Sequence, residues 1–255
     1  MRVCLIQLDV SLKAPMPERL AHAAELIERC AGADLVMLPE LWAHGAWDFD
    51  DWAQTAESLD GPTVAALGAA AKSAGVRLHG GTVLERDGEQ LFNTAVLLGP
   101  DGSLKGWYRK IHRFGFDSGE AALVSAGEQS VIWPIGEVPA AVATCYDLRF
   151  PELFRRQVPE AELVLLAASW PARRAEHWRL LARARAVENQ VYVLACGASG
   201  TQAGVEQAGY SAVIDPWGEV LAEAGTDEQI LDVEFDPARV AEVRAQFPVL
   251  RDRRL

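Results

Sequence analysis

Three short segments place reactive side chains where the chain leaves an apolar run. In Val142-Ala143-Thr144-Cys145-Tyr146-Asp147 a thiol stands at the end of a strand-like stretch, and Phe150-Pro151-Glu152 then opens a helix. A nucleophile in that position is exposed at a sheet edge, and the free N–H groups of a helix start help to hold negative charge beside it. Cysteine is also a common core residue, so local pattern alone leaves a packing role open. In Leu35-Val36-Met37-Leu38-Pro39-Glu40-Leu41 a carboxylate follows an apolar strand directly, with Trp42, Trp47, Phe49 and Trp52 close behind. Glu40 reads either as a solvated loop residue or as a base set in an apolar pocket that raises its pKa. In Gly106-Trp107-Tyr108-Arg109-Lys110-Ile111-His112 a lysine follows a third strand. Lys110 reads as a surface residue or as a site cation, and His112 beside it offers a Cys–His pair as another way to activate a thiol. Cys4, Cys30 and Cys196 read as packing residues, and His22, His44, His79 and His177 have no distinctive context.

The elements that must position these groups alternate in kind. Strands are expected at Val3–Leu8, Leu35–Leu38, Val76–Leu84, Leu91–Leu98, Ser103–Tyr108, Ala140–Thr144, Leu163–Ala168, Val191–Cys196, Tyr210–Ile214, Glu219–Ala224 and Ile230–Phe235. Helices are expected at Pro17–Cys30, from Gly61-Pro62-Thr63 to about Ala74, and at Pro151–Gln157, Ala175–Asn189 and Pro237–Arg244. Arg86-Asp87-Gly88 signals a hairpin, and Asp215-Pro216-Trp217-Gly218 another turn. Mixed βα units and hairpins imply an α/β fold with mixed sheets rather than a purely parallel doubly wound one. No linker rich in Pro, Gly or Ser and no short-period repeat interrupts the chain, so residues 1–255 are expected to form one domain.

Composition narrows the function. The 255 residues carry 24 Lys+Arg against 36 Asp+Glu, a net charge of −12, and half are hydrophobic. Such a chain has material for a full core and cannot neutralise a row of phosphates, so no nucleic-acid partner is expected. The basic cluster Arg251, Arg253 and Arg254 reads as a solvated tail. No apolar run reaches a membrane span, and MRVCLIQLDV lacks the apolar core and cleavage site of a signal peptide, so a cytoplasmic location is expected. Four scattered cysteines give no disulfide framework and no zinc spacing, and GxGxxG, GxxxxGK[ST] and GxSxG are absent.

Taken together, Leu38-Pro39-Glu40-Leu41, Tyr108-Arg109-Lys110-Ile111-His112 and Cys145-Tyr146-Asp147-Leu148-Arg149-Phe150-Pro151-Glu152, in that order and each at a strand end, resemble the nitrilase superfamily of carbon–nitrogen hydrolases. Ser169-Trp170-Pro171 and Arg183-Ala184-Arg185-Ala186-Val187-Glu188-Asn189-Gln190 extend the resemblance, which is closer to the omega-amidase and deaminated-glutathione-amidase branch. The resemblance implies a four-layer αββα sandwich with two mixed β-sheets, paired into a homodimer. It implies Glu40 as general base, Lys110 as catalytic lysine, Cys145 as nucleophile and Glu120 as second glutamate, with Glu128 as the other choice for that role. The Tyr146 backbone N–H would join Lys110 in holding the oxyanion, and no metal or organic cofactor is required. The branch implies a small ω-amide bearing a carboxylate, such as 2-oxoglutaramate or 2-oxosuccinamate. Arg149, Arg173 and Arg174 are candidates to bind its carboxylate, and Trp42, Trp47 and Trp170 to wall the pocket; Arg149 could instead pair with Glu152 or Asp147. The same catalytic set also suits a deaminated glutathione amidase or an N-carbamoyl amide hydrolase. A catalytically silent scaffold dimer is the reading outside enzymology.

Overall fold

Successive side chains of a strand point to opposite faces of its sheet, and here each face meets a different layer. The computed structural model describes residues 1–11, 14–115, 118–158 and 160–254. In chain order it contains β1 (Arg2–Gln7), α1 (Met16–Glu28), β2 (Leu35–Met37), α2 (Trp52–Thr55), α3 (Pro62–Ala74), β3 (Arg77–Asp87), β4 (Gln90–Leu98) and β5 (Leu104–Arg109). There follow α4 (Glu120–Leu123), β6 (Ile132–Ile135), β7 (Val138–Thr144), α5 (Pro151–Gln157), β8 (Leu163–Ala168), α6 (Ala175–Asn189) and β9 (Tyr192–Gly197). The chain closes with β10 (Thr201–Gln202), β11 (Val205–Glu206), β12 (Ala212–Ile214), β13 (Val220–Glu223), β14 (Gln229–Glu234) and α7 (Arg239–Gln246).

Two six-stranded sheets result, in the orders β14-β1-β2-β3-β4-β5 and β13-β12-β9-β8-β7-β6. Both are mixed. β1, β2 and β3 run parallel, as do β7, β8 and β9, while the remaining neighbours are antiparallel. Along β1 and β2, Cys4, Ile6 and Val36 meet Leu26 and Ile27 of α1 and Leu67 and Ala71 of α3. The alternate residues Val3, Leu5, Leu35 and Met37 meet Val142, Leu163, Leu165 and Leu194 of the second sheet. Beyond that sheet, Ala141, Ala143, Val164 and Leu166 pack on Leu153 and Phe154 of α5 and Trp178 and Ala182 of α6. The order is therefore helix, sheet, sheet, helix, the four-layer αββα sandwich that the resemblance implied. Each fully buried leucine or isoleucine in these layers contributes about 1.5–3 kcal/mol of transfer free energy.

The elements follow the sequence reading closely, and the departures have local causes. β6 was not foreseen; it carries Pro134, which the sheet tolerates because β6 is an edge strand with one side unpaired. α2, α4 and the β10–β11 hairpin are too short to produce a periodic signal. β3 continues to Asp87, so the hairpin turn falls at Gly88-Glu89, with Gly88 at φ 60° where a side chain would be strained. Cys4, Cys30 and Cys196 are buried in the apolar layers, as packing residues should be.

Candidate active site

Strand direction explains why distant residues meet. β2, β5, β7 and β8 point the same way within their sheets, and reactive groups follow just past their C-terminal ends. Glu40 lies three residues beyond β2, while Lys110, Cys145 and Ser169 each lie one residue beyond β5, β7 and β8. Glu120 opens α4, after a connection that returns from β5. Backbone strain marks two of these exits: Leu41 at φ 44° and Cys145 at φ 45° occupy the left-handed region. Such a conformation costs about 1–3 kcal/mol and persists only where neighbours enforce it.

The enforcing contacts are visible. The Leu41 N–H donates to Thr82 Oγ1 at 2.9 Å. At the other exit, the fully buried Asp147 carboxylate accepts from the Thr144 N–H (2.9 Å), Tyr108 O–H (2.8 Å), His112 N–H (3.0 Å) and His112 Nδ1 (2.7 Å). That set ties the short 3₁₀ turn Cys145–Arg149 to the end of β5. It also settles the role of His112, whose ring is held by Asp147 and stacked on Phe150 at 3.7 Å, as a structural partner rather than a base for the thiol.

Glu40, Lys110 and Glu120 form one buried network, with 3%, 2% and 5% of their surfaces exposed. Lys110 Nζ donates to Glu40 Oε1 at 2.7 Å and to Glu120 Oε1 and Oε2 at 2.9 and 2.8 Å. Glu40 Oε2 accepts from the Ser169 N–H at 2.9 Å, and the Ser169 hydroxyl donates to the Glu40 carbonyl at 2.8 Å. Asn93 Nδ2 donates to Glu40 Oε1 and to Glu120 Oε1, each at 2.8 Å. The Phe114 N–H completes the shell of Glu120 at 2.7 Å. Cys145 Sγ sits 4.0 Å from the Ser169 carbonyl oxygen.

Electrostatics follow from this packing. Burial pushes the Cys145 thiol well above its ordinary range, the Glu40 charge pushes it further, and Lys110 pulls it back. Burial alone would lower Lys110, but the Glu120 and Glu40 carboxylates overcome it and hold the ammonium charged well past the usual lysine value. Burial raises Glu120, with Lys110 opposing. The resting site therefore holds a protonated thiol beside a fixed cation that bridges two carboxyl groups.

These groups open onto a small cleft lined by Cys145, Glu40, Lys110 and Glu120 together with Trp47, Phe49, Trp52, Phe114, Tyr146, Trp170, Arg149 and Arg174. Glu128, the other choice for the second glutamate, is exposed and lines a separate groove beside Trp107. Arg149 stacks over Trp170 at 4.8 Å and reaches His177 at 3.3 Å, while the Asp147 oxygens are engaged elsewhere. Two expected binding residues stand apart from the cleft. Trp42 is buried against the α1–α3 layer, its indole N–H donating to the Gly80 carbonyl at 3.0 Å, because the turn at Leu41 redirects the chain. Arg173 is exposed, and Arg174 reaches the cleft instead, its guanidinium 5.2 Å from the Phe114 ring. Both lie in a 3₁₀ turn, where neighbours point about 120° apart. Asn93, Ser169 and Asp147 are the site residues to which sequence reasoning gave no role at the site; a polar residue inside the apolar run of β4 was the one available signal for Asn93. Among the described residues, no group of three His, Cys, Asp or Glu side chains is placed to hold a metal, and no helix is long and apolar enough to cross a membrane.

The chain resembles known proteins along nearly its whole length. The sequence matches the carbon–nitrogen hydrolase family over residues 2–245. It is 36% identical over 261 residues to a 2-oxoglutaramate amidase of Paenarthrobacter nicotinovorans, covering 99% of this chain and 89% of that protein. It is 37% identical over 270 residues to the omega-amidase NIT2 of Mus musculus, covering 99% and 95%. A solved CN-hydrolase superfamily protein from Xanthomonas campestris, with an arsenic adduct in its active site, superimposes with a TM-score of 0.92 at 33% identity, covering 100% of this chain and 97% of that one. With the fold, the strand-end motifs and the full-length match in agreement, this chain belongs to the carbon–nitrogen hydrolases of the nitrilase superfamily.

Proposed function

We propose that this carbon–nitrogen hydrolase acts as an omega-amidase, converting a small carboxylate-bearing amide such as 2-oxoglutaramate or 2-oxosuccinamate to the 2-oxo acid and ammonia, with residues 1–255 working as one catalytic domain. The observation that carries the reading is the convergence of Cys145, Glu40, Lys110 and Glu120 on one cleft. Because the thiol rests protonated, attack and proton transfer must be coupled. Cys145 Sγ bonds to the amide carbon as its proton passes to Glu40, and the carbonyl oxygen becomes an oxyanion. Net charge inside the site is unchanged by this step: Glu40 loses its negative charge as the oxyanion gains one. The oxyanion is met by the Lys110 ammonium and the Tyr146 N–H, which lies in the first turn of the Cys145–Arg149 helix where N–H groups lack helical partners. Glu40 returns its proton to the departing nitrogen, ammonia leaves and a thioester remains. Water activated by Glu40, with Glu120 fixing Lys110, then releases the acid.

Two cations at the cleft, Arg149 and Arg174, support a substrate with a free carboxylate, and neither pairs with a carboxylate among the described residues. Trp170 walls the same side. A homodimer is supported by the outer face of α6. There Leu180 is 67% and Val187 51% exposed, Val187 lies against Gly218, and the preceding Trp217 stacks on the 56% exposed Phe247 at 6.0 Å. Apolar side chains of this size gathered on one surface are the usual mark of a protein interface.

The test is ammonia release from 2-oxoglutaramate, 2-oxosuccinamate, deaminated glutathione and β-ureidopropionate, with wild type, iodoacetamide-treated enzyme and Cys145→Ala compared. Preference for the ω-amides, lost on alkylation and in the variant, is expected. Preference for deaminated glutathione or β-ureidopropionate would transfer the same chemistry to another substrate, and inertness toward all four would favour the scaffold reading.

A further inference from the structure

Lys110 has three N–H donors, and the resting network uses all three: one on Glu40 Oε1 and two on the Glu120 oxygens. A lysine so engaged holds an oxyanion only if one of these contacts loosens during the reaction. The moment is set by chemistry. When Glu40 takes the thiol proton it becomes neutral, and its claim on the ammonium weakens just as the oxyanion forms. Something else must then keep Glu40 in place, or its new proton is no longer aimed at the leaving nitrogen.

Asn93 is built for that task. It lies on β4, is 1% exposed, and its two N–H bonds go one to Glu40 Oε1 and one to Glu120 Oε1. The same two oxygens are those bridged by Lys110, so Nζ, Oε1 of Glu40, Nδ2 and Oε1 of Glu120 close a four-cornered ring. The Asn93 carbonyl also accepts the Lys110 backbone N–H at 2.8 Å, fixing the base of the lysine stem. The amide orientation is forced, because a flipped group would aim its oxygen at two carboxylates. The consequence is that Asn93 Oδ1 is buried without a hydrogen-bond partner.

We propose that Asn93 is a positioning residue for the hydrolytic reaction: it holds the Glu40 and Glu120 carboxyl groups apart and in register, so that Lys110 is released toward the oxyanion without losing the base. The inference rests on the amidase reading above for its kinetic arm, and on geometry alone for its structural arm.

Two variants test it, Asn93→Ala and the near-isosteric Asn93→Asp, both checked for a native melting transition. Loss of two donors to carboxylates, or addition of a third carboxylate, disfavours the ionised carboxyls. The acid limb of kcat/KM should therefore move up by about one pH unit, and the Glu120 carboxyl followed by 13C NMR should titrate higher. The kcat value should fall roughly 10- to 100-fold while KM stays within about threefold, since the effect lies on the reacting step. A fall in rate with neither the pH profile nor the Glu120 titration displaced would mean a packing role only and would overturn the proposal, as would wild-type kcat. If Asn93→Ala fails to fold, Asn93→Asp decides. If wild type hydrolyses no amide tried, the amidase reading fails by itself, and the Glu120 titration still decides for or against Asn93.

Discussion

Replacing Lys110 by methionine removes a charge from the centre of the site while keeping most of the stem volume. Its Nζ lies 2.7 Å from Glu40 and 2.8 Å from Glu120. At an effective dielectric of 20 each contact is worth about 6 kcal/mol of Coulomb attraction, much of it offset by the desolvation of three buried groups. Breaking a buried pair by removing one partner costs about 3–5 kcal/mol. That is the deficit in unfolding free energy expected at pH 8 by urea titration. It should shrink on acidification. Glu120 is already raised by burial, and without the ammonium it rises further. A carboxyl whose folded pKa exceeds its unfolded one supports the fold below the unfolded value, and that support is lost as pH rises through the folded value. The variant should accordingly lie closest to wild type near pH 4–5, roughly the carboxyl range of an unfolded chain. Turnover should fall by about 100- to 1000-fold, as on loss of an oxyanion donor. Amidase activity within about tenfold of wild type, or a stability deficit equal at pH 5 and pH 8, would refute the scheme that makes Lys110 both counter-ion and oxyanion donor.

Three further expectations follow from particular contacts. Asp147→Asn places an N–H among four donors that now share one buried carboxylate; it should lower stability by about 2–4 kcal/mol in urea and reduce kcat by loosening the Cys145 turn, and a wild-type kcat would separate that turn from catalysis. Arg174→Ala should cut kcat/KM about 10- to 100-fold for a carboxylate-bearing ω-amide and leave a neutral aliphatic amide within about threefold; equal losses on both would remove carboxylate recognition from this side chain. Leu180→Glu should convert a dimer to a monomer in sedimentation velocity, and an unchanged species would place any self-association elsewhere than the outer face of α6.

Much of this molecule was readable from its primary sequence, for a local reason. Strand and helix patterns depend on neighbours within a few residues, so β1, α5, β8 and α6 fall where alternation and turn chemistry put them. The reactive residues were candidates because each stands where an apolar run stops, Glu40 after β2, Lys110 after β5 and Cys145 after β7, but that local property left packing or surface roles open, and their roles came from the resemblance of the three motifs, in order, to the nitrilase superfamily. What periodicity does not carry is which strand ends meet. The pairing of β4 with β5 and β3, and the stacking of one sheet on the other, bring Asn93, Ser169 and Asp147 to the site, and no spacing along the chain encodes those distances. Nor does composition choose between adjacent side chains. Arg174 faces the cleft and Arg173 the solvent because a 3₁₀ turn rotates one from the other, and Trp42 enters the core because Leu41 adopts a left-handed backbone that reverses its direction. Residue type fixed the chemistry on offer, and long-range packing decided which groups share a reacting carbon.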